Sequence, residues 1–282
     1  MEFKYKIGEL NLLSELELPM LREVFFDKPD LHISLKQNIK APKETIEFYE
    51  NHILYKDSYA NNFVITDTEI HICIKNQEFK REAAITIMGI PLGYLLQKNR
   101  FQVLHGSCIA QDNTAISFIG SSRAGKSSIA LALIKYGFKL VTEDLCIIKN
   151  KSIYNFSNWI KSSKSVIPKE LSYSNEILIR RDSRNRSLFE LEDTFISNPQ
   201  SDLKLVYFLA QSNKSNIIKL DALEAFKYLF TYAYRKHDLD KESLKNLSEI
   251  YKNTDCFLFS RDLNRSLDEN KKIILDHLHQ KL

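Results

Sequence analysis

Residues 118–128 read FIGSSRAGKSS, and the fold turns on how that stretch is understood. Gly120 to Ser127, GSSRAGKS, fits the spacing GxxxxGK[ST] of a phosphate-binding loop. Glycine at 120 and 125 lets backbone amides turn inward with no Cβ in the way. Those amides, followed by a helix N-terminus, form a concave site for an anion. Lys126 brings a cation to the phosphates, and the Ser127 hydroxyl is a hard oxygen ligand suited to Mg2+. The candidate ligand-contacting positions are Gly120, Ser121, Ser122, Arg123, Ala124, Gly125, Lys126, Ser127 and Ser128. The flanks agree. TAISFIG, 114–120, is a strand candidate, and Ile129, Ala130, Leu133 and Ile134 recur at helical spacing from Lys126 to Tyr136, stopped by Gly137. A tight strand-to-helix turn would account for the glycines, but it gives no reason for Lys126 and Ser127.

Working outward, KLVTED (139–144) carries Glu143 and Asp144 behind one short strand, within reach of the loop. A bound Mg2+ needs carboxylates, and a hydroxyl acceptor needs a group to take its proton. Two adjacent carboxylates can divide those tasks; a solvated acidic turn is the plain alternative. Upstream, VLHGSCIA (103–110) is a second strand candidate, and Asp112-Asn113 reads as a hairpin turn into TAISFIG. That hairpin would bring His105 near the loop, with a catalytic and a structural reading both open.

The rest of the chain is uneven in legibility. Residues 1–80 are rich in strand-like stretches such as FKYKIGELNL, LHISL and NFVITDTEIHICI. Ala83 to Gln97, AAITIMGIPLGYLLQ, reads as one buried helical segment, too short and too interrupted by Gly89, Pro91 and Gly93 to span a membrane. Residues 151–202 are polar and are expected to be loops around short elements. LKLVYFLA (203–210) is a buried strand, Asp221 caps a helix, DKESLKNLSEIYKN is another, DCFLFS a strand, and SLDENKKIILDHLHQKL a closing amphipathic helix.

Of the 282 residues, 44% are hydrophobic and 27% charged, which fits a globular chain with a sizeable core. The net charge of +4 is too mild to argue for nucleic acid, and the basic residues are scattered apart from Arg180, Arg181, Arg184 and Arg186. Cys73, Cys108, Cys146 and Cys256 show no metal-like spacing and read as buried free thiols, in keeping with a reducing cytoplasm. MEFKYKIGEL lacks the apolar core of a signal peptide. The expectation is a cytoplasmic chain without membrane or nucleic-acid partners, its homo-oligomeric state left open.

The ordered set HGS, GSSRAGKS, a helix ending in YGF, and KLVTED resembles the catalytic domain of the HPr kinase/phosphorylase family over about residues 103–149. GIPLGYLLQKNRFQVLHGSCIA resembles the approach to that domain in divergent HPr-kinase-like serine kinases. Several of those are encoded with peptide-maturation genes, including lasso peptide clusters, where they phosphorylate a serine of the precursor. The resemblance implies an α/β fold: a P-loop domain with a mixed sheet over 83–282, ending in an αβα tail, after a β-rich domain over 1–82. It implies ATP and Mg2+, with Lys126 on the phosphates, Ser127 and Asp144 at the metal, Glu143 at the position of the proposed general base, and His105 at that of the active-site histidine. Two positions depart from the pattern, Glu143 for aspartate and Ala124 for glycine. No glycine-rich signature follows the core, which argues against HPr as substrate and against phosphorylase activity. A third metal carboxylate, with Glu170 or Glu176 as candidates, and a transition-state arginine, from the Arg180–Arg186 cluster or Arg235, stay unassigned.

The leading expectation is an ATP- and Mg2+-dependent kinase acting on a hydroxyl, a serine of a peptide or small protein, with Glu143 or His105 taking the proton. The alternatives are a nucleotide-binding regulator that transfers no phosphate, and a kinase of a small molecule such as free serine or a sugar.

Overall fold

Alternation in the first strands sets one face against a core: Tyr5 and Ile7 of β1 (Phe3–Ile7) and Leu12 and Ser14 of β2 (Leu10–Ser14) are buried. The computed structural model describes residues 1–180, 182, 184–234, 240–262 and 264–282. Its contacts divide the chain into two units, Met1–Val103 and Leu104–Leu282.

The first unit continues with β3 (Leu31–Leu35), β4 (Ile46–Phe48), β5 (Ile53–Lys56), β6 (Asn62–Ile65) and β7 (Glu69–Cys73), in the sheet order β1-β2-β3-β7-β6-β5-β4. The segment expected as one helix is two, α1 (Lys80–Ile87) and α2 (Ile90–Lys98). Gly89, at φ −108° and ψ −114°, breaks the run, and Pro91 sits in the first turn of α2, where a missing N–H costs nothing. α2 packs on β6 and β7. The boundary therefore falls after Val103 and not after residue 82, because the apolar face of this segment is buried on the N-terminal sheet.

The second unit is built on the hairpin of β8 (Gln102–Gln111) and β9 (Thr114–Gly120), running in register from Gln111 opposite Thr114 to Gly106 opposite Ile119. Asp112 and Asn113 adopt φ of 47° and 67°, the left-handed pair that matches strand twist in a two-residue turn. Then come α3 (Lys126–Ile134), β10 (Lys139–Thr142), β11 (Leu145–Lys149), β12 (Ser152–Tyr154), β13 (Trp159–Ser162), β14 (Tyr173–Leu178), β15 (Ser187–Leu191), β16 (Gln200–Ser212), β17 (Asn216–Lys219), α4 (Ala222–Tyr232), α5 (Lys241–Asn253), β18 (Asp255–Asp262) and α6 (Leu267–Leu278). The main sheet is mixed, in the order β10-β8-β11-β12-β16-β18-β17, with β9 pairing both β16 and β8. β9 and β18 flank β16 as parallel neighbours.

β16 is apolar on both faces because helices cover both. Val206 and Phe208 pack with Leu229 of α4 and Leu247 and Ile250 of α5. Tyr207 and Leu209 pack with Phe118, with Ile129 and Leu133 of α3, and with Ile274 of α6. Capping boxes at Asp221 with Glu224 and at Ser266 with Glu269 satisfy the first amides of α4 and α6. The short elements expected among the loops of the polar segment 151–202 are β12 and a three-stranded antiparallel sheet, β13-β15-β14. Ile160, Leu171, Phe189 and Leu191 of this segment form a buried cluster with Leu131 and Ile134 of α3. All four cysteines are buried free thiols. No helix among the described residues is long and apolar enough to cross a membrane.

Candidate active site

Gly120 ends β9 and Lys126 begins α3, so the loop between them lies at the carboxyl end of a parallel strand, where open α/β sheets bind ligands. Gly120 lies so close to β16 that a Cβ there would meet the Leu209 carbonyl oxygen at 3.0 Å. Gly125, the N-cap of α3, has φ +96°, and a Cβ on it would lie 2.3 Å from an Arg261 guanidinium nitrogen. Ala124 N donates to the Ser121 carbonyl at 3.1 Å, tightening the turn. Lys126 is only 7% exposed, and its Nζ donates to the Gly120 and Ser121 carbonyls at 3.0 Å each. Burial lowers its pKa, while the charges of Asp144 and Glu143 pull it back up.

The acidic pair lies in the break between β10 and β11. Neighbours on a strand point to opposite faces, but Asp144 adopts φ +82°, and the kink lets both carboxylates line the same cleft. Their partners differ. Ser127 Oγ donates to Glu143 Oε1 at 2.7 Å, and the Lys161 amide donates to Glu143 Oε2 at 3.4 Å. Lys161 Nζ donates to Asp144 Oδ2 at 2.8 Å, and His105 Nδ1 lies 3.2 Å from Asp144 Oδ1 and 3.2 Å from the Asp144 carbonyl. Burial and the neighbouring Asp144 charge push the Glu143 carboxyl up. Burial also acts to raise Asp144, but the Lys161 ammonium and His105 outweigh it and hold that carboxyl well below the usual range. Asp144 in turn raises Lys161 against its burial, and burial lowers His105.

Sequence reasoning paired Ser127 with Asp144 at the metal and gave the proton to Glu143 or His105. The side chains pair differently: Glu143, one methylene longer, reaches Ser127, and Asp144 turns to Lys161 and His105. The donor set at Ser127 and Glu143, a hydroxyl and a carboxylate oxygen beside a phosphate loop, fits Mg2+, which usually takes one or two carboxylates and completes its shell with water and phosphate oxygens. Among the described residues no three His, Cys, Asp or Glu side chains converge as an all-protein metal cage. Glu170 and Glu176 are exposed and do not line the cleft; Glu176 is tied to Lys164 at 3.3 Å.

The cleft has a volume of about 450 Å3, within the range of small-molecule sites. Lys126, Lys161, Arg123, Arg184, Arg186 and Arg261 line it against two carboxylates, Glu143 and Asp144. Of the loop, Ser122, Arg123, Gly125, Lys126, Ser127 and Ser128 line it; Gly120, Ser121 and Ala124 do not. Arg184 donates to Ser122 Oγ at 2.9 Å, and Arg186 is clamped to Asp182 at 2.7 and 3.0 Å. The cluster expected at Arg180–Arg186 thus contributes Arg184 and Arg186. Arg181 and Arg235 lie outside the described residues. Sequence reasoning missed Lys161 and Arg261; nothing in WIKS or FSRD marks them, since only tertiary folding brings β13 and β18 to the loop. A larger cleft of about 610 Å3, with Lys204, Lys219, Lys252 and Lys281, opens at the opposite, amino ends of β16 and β18, away from the phosphate loop.

No family model matches the chain, and no curated protein does. Among solved structures, the Hpr(Ser) kinase/phosphatase from Coxiella burnetii is similar at 16% identity with a TM-score of 0.34, covering 64% of this chain and 92% of that one. A likeness at that score carries no argument about function, which has to come from the chemistry of the cleft.

Proposed function

We propose that the chain is a kinase that transfers the γ-phosphoryl group of ATP to a hydroxyl, with Mg2+ held at Ser127 and Glu143. One observation carries the reading. The two adjacent carboxylates have been given different partners, a hydroxyl beside the loop lysine for Glu143 and a lysine-histidine pair for Asp144. Separate environments for two neighbouring carboxylates are how a site divides two tasks. Mg2+, when bound, neutralises charge on the phosphate oxygens. The loop amides and Lys126 bind the β and γ phosphates and fix their orientation.

In the transfer, the bond between the γ-phosphorus and the β–γ bridging oxygen breaks. A new bond forms between that phosphorus and the acceptor oxygen. The hydroxyl proton goes to Asp144, and ADP leaves as the anion. An ionised Asp144 is a weak base, but in a loose transition state the acceptor-side group chiefly orients the hydroxyl and accepts its proton late. Lys161 and His105 hold the carboxylate in that ionised state. The acceptor class, a serine on a peptide or small protein, rests on the resemblance of residues 103–149.

Mass spectrometry of serine-containing precursor peptides, after incubation with the protein, ATP and Mg2+, tests the reading. A gain of one phosphoryl group on serine, absent with Lys126→Ala, is the expected result. Phosphorylation undiminished in Lys126→Ala would remove the loop from the mechanism.

A further inference from the structure

Six cationic side chains line the cleft, and five have something else to account for them. Lys126 is bonded to two loop carbonyls and Lys161 to Asp144. Arg186 is clamped to Asp182 through both Nε and Nη2, and Arg184 is bonded to Ser122. Arg123 sits on the loop itself, exposed, with φ +70°. Arg261 differs. It is half-buried on β18, and among the described residues its guanidinium makes no hydrogen bond and no ion pair. Its five N–H donors thus line the cleft without a protein acceptor, so an anion entering the cleft can take them without breaking any contact within the protein.

Its position says which anion. β18 runs parallel to β16, as β9 does, so Arg261 emerges at the same carboxyl end of the sheet as the phosphate loop. Its Nη1 lies over Gly125, at the start of α3, in the space a Cβ would take, and any larger residue at 125 would drive it away. The guanidinium therefore stands one residue from Lys126 and two from Ser127, above the amides that receive the phosphates.

We infer that Arg261 is a catalytic residue of the proposed phosphoryl transfer, holding its planar fork on the equatorial oxygens of the transferring group. This rests on the kinase reading of the cleft. Arg261 exchanges no proton; the bonds made and broken are those already given. Its contribution is to meet the charge that builds as the bridging bond breaks, a role that demands a bidentate guanidinium more than a point charge.

ATP turnover by the purified full chain, measured with ATP and Mg2+, with water and then a serine-containing peptide as the phosphoryl acceptor, tests the inference. Arg261→Ala is expected to lower kcat by at least about 100-fold. ATP affinity is expected to change by less than about 5-fold, the pattern of an interaction made chiefly in the transition state. Arg261→Lys is expected to stay well below the wild type, and added guanidinium ion to restore part of the Arg261→Ala rate while leaving its melting temperature unchanged. If Arg261→Ala does not fold, Arg261→Gln, closer in size, carries the same expectations. Turnover within about 3-fold of wild type in a folded variant, or a loss of kcat/KM explained wholly by weaker ATP binding, overturns the role of Arg261 and leaves the kinase reading standing. A wild type that binds ATP and transfers its phosphoryl group neither to water nor to a serine-containing peptide overturns both.

Discussion

At the scale of single residues, the account depends on which carboxylate does what. Glu143 reaches Ser127 and is pushed up by burial and by Asp144, so in the absence of a cation it is a costly charge to keep. A divalent ion removes that cost. Glu143→Gln keeps the shape and loses the charge, and is expected to raise the Mg2+ concentration for half-maximal turnover by about tenfold or more. Chelation should stop turnover in the wild type. An unaltered Mg2+ requirement in Glu143→Gln would move the metal elsewhere. Asp144 calls for a different probe. At φ +82° an Asp144→Ala variant mixes backbone strain with lost charge, whereas asparagine tolerates the left-handed region and isolates the charge. The motif residues of the loop were legible in sequence because glycine, lysine and serine at fixed spacing have a local reason to be there. The division of labour between Glu143 and Asp144 was not, because it depends on a kink at one residue and on Lys161, which arrives from another sheet.

At the scale of elements, segments with a local signal were readable: the turn residues of the β8–β9 hairpin, α3 after the phosphate loop, the apolar run of β16 and the capped α4 and α6. The β13-β15-β14 sheet was not, since its strands are short and polar and its core is completed by residues of α3. Ahead of β15, the Asp182 carboxylate takes the Arg186 side chain and, at 2.9 Å, the Arg186 amide. Those hydrogen bonds from Arg186 hold Asp182 down to about 2. An unfolded aspartate titrates near 4, so the stabilisation is present above about pH 4 and is lost as pH falls towards 2. Hydrogen exchange at the Arg186 amide, corrected for its intrinsic rate, is expected to lose protection over that interval while the amides of β9 keep theirs. Asp182→Asn should show the loss already at neutral pH. Protection that is constant from pH 5 to below 2 would mean that Asp182 does not hold the Arg186 amide.

At the scale of the whole molecule, the chain pairs a seven-stranded N-terminal sheet and two helices with a larger unit whose mixed sheet is covered on both faces. The second unit assembles the cleft from segments far apart in sequence: His105 on β8, the loop before α3, Glu143 and Asp144 after β10, Lys161 on β13, and Arg261 on β18. The sheet order brings them together, with parallel β9, β16 and β18 delivering the loop and Arg261 to one edge. The claim at the centre is that this edge moves a phosphoryl group and does not merely bind a nucleotide. Single-turnover measurement of ADP formation from ATP in the presence of a serine-containing peptide acceptor, wild type against Asp144→Asn, addresses it most directly when ATP affinity is titrated in both. The account predicts affinities within about threefold and a rate at least about 100-fold lower in the variant. Equal rates in the two proteins, or a wild type that binds ATP and forms no ADP, would contradict it.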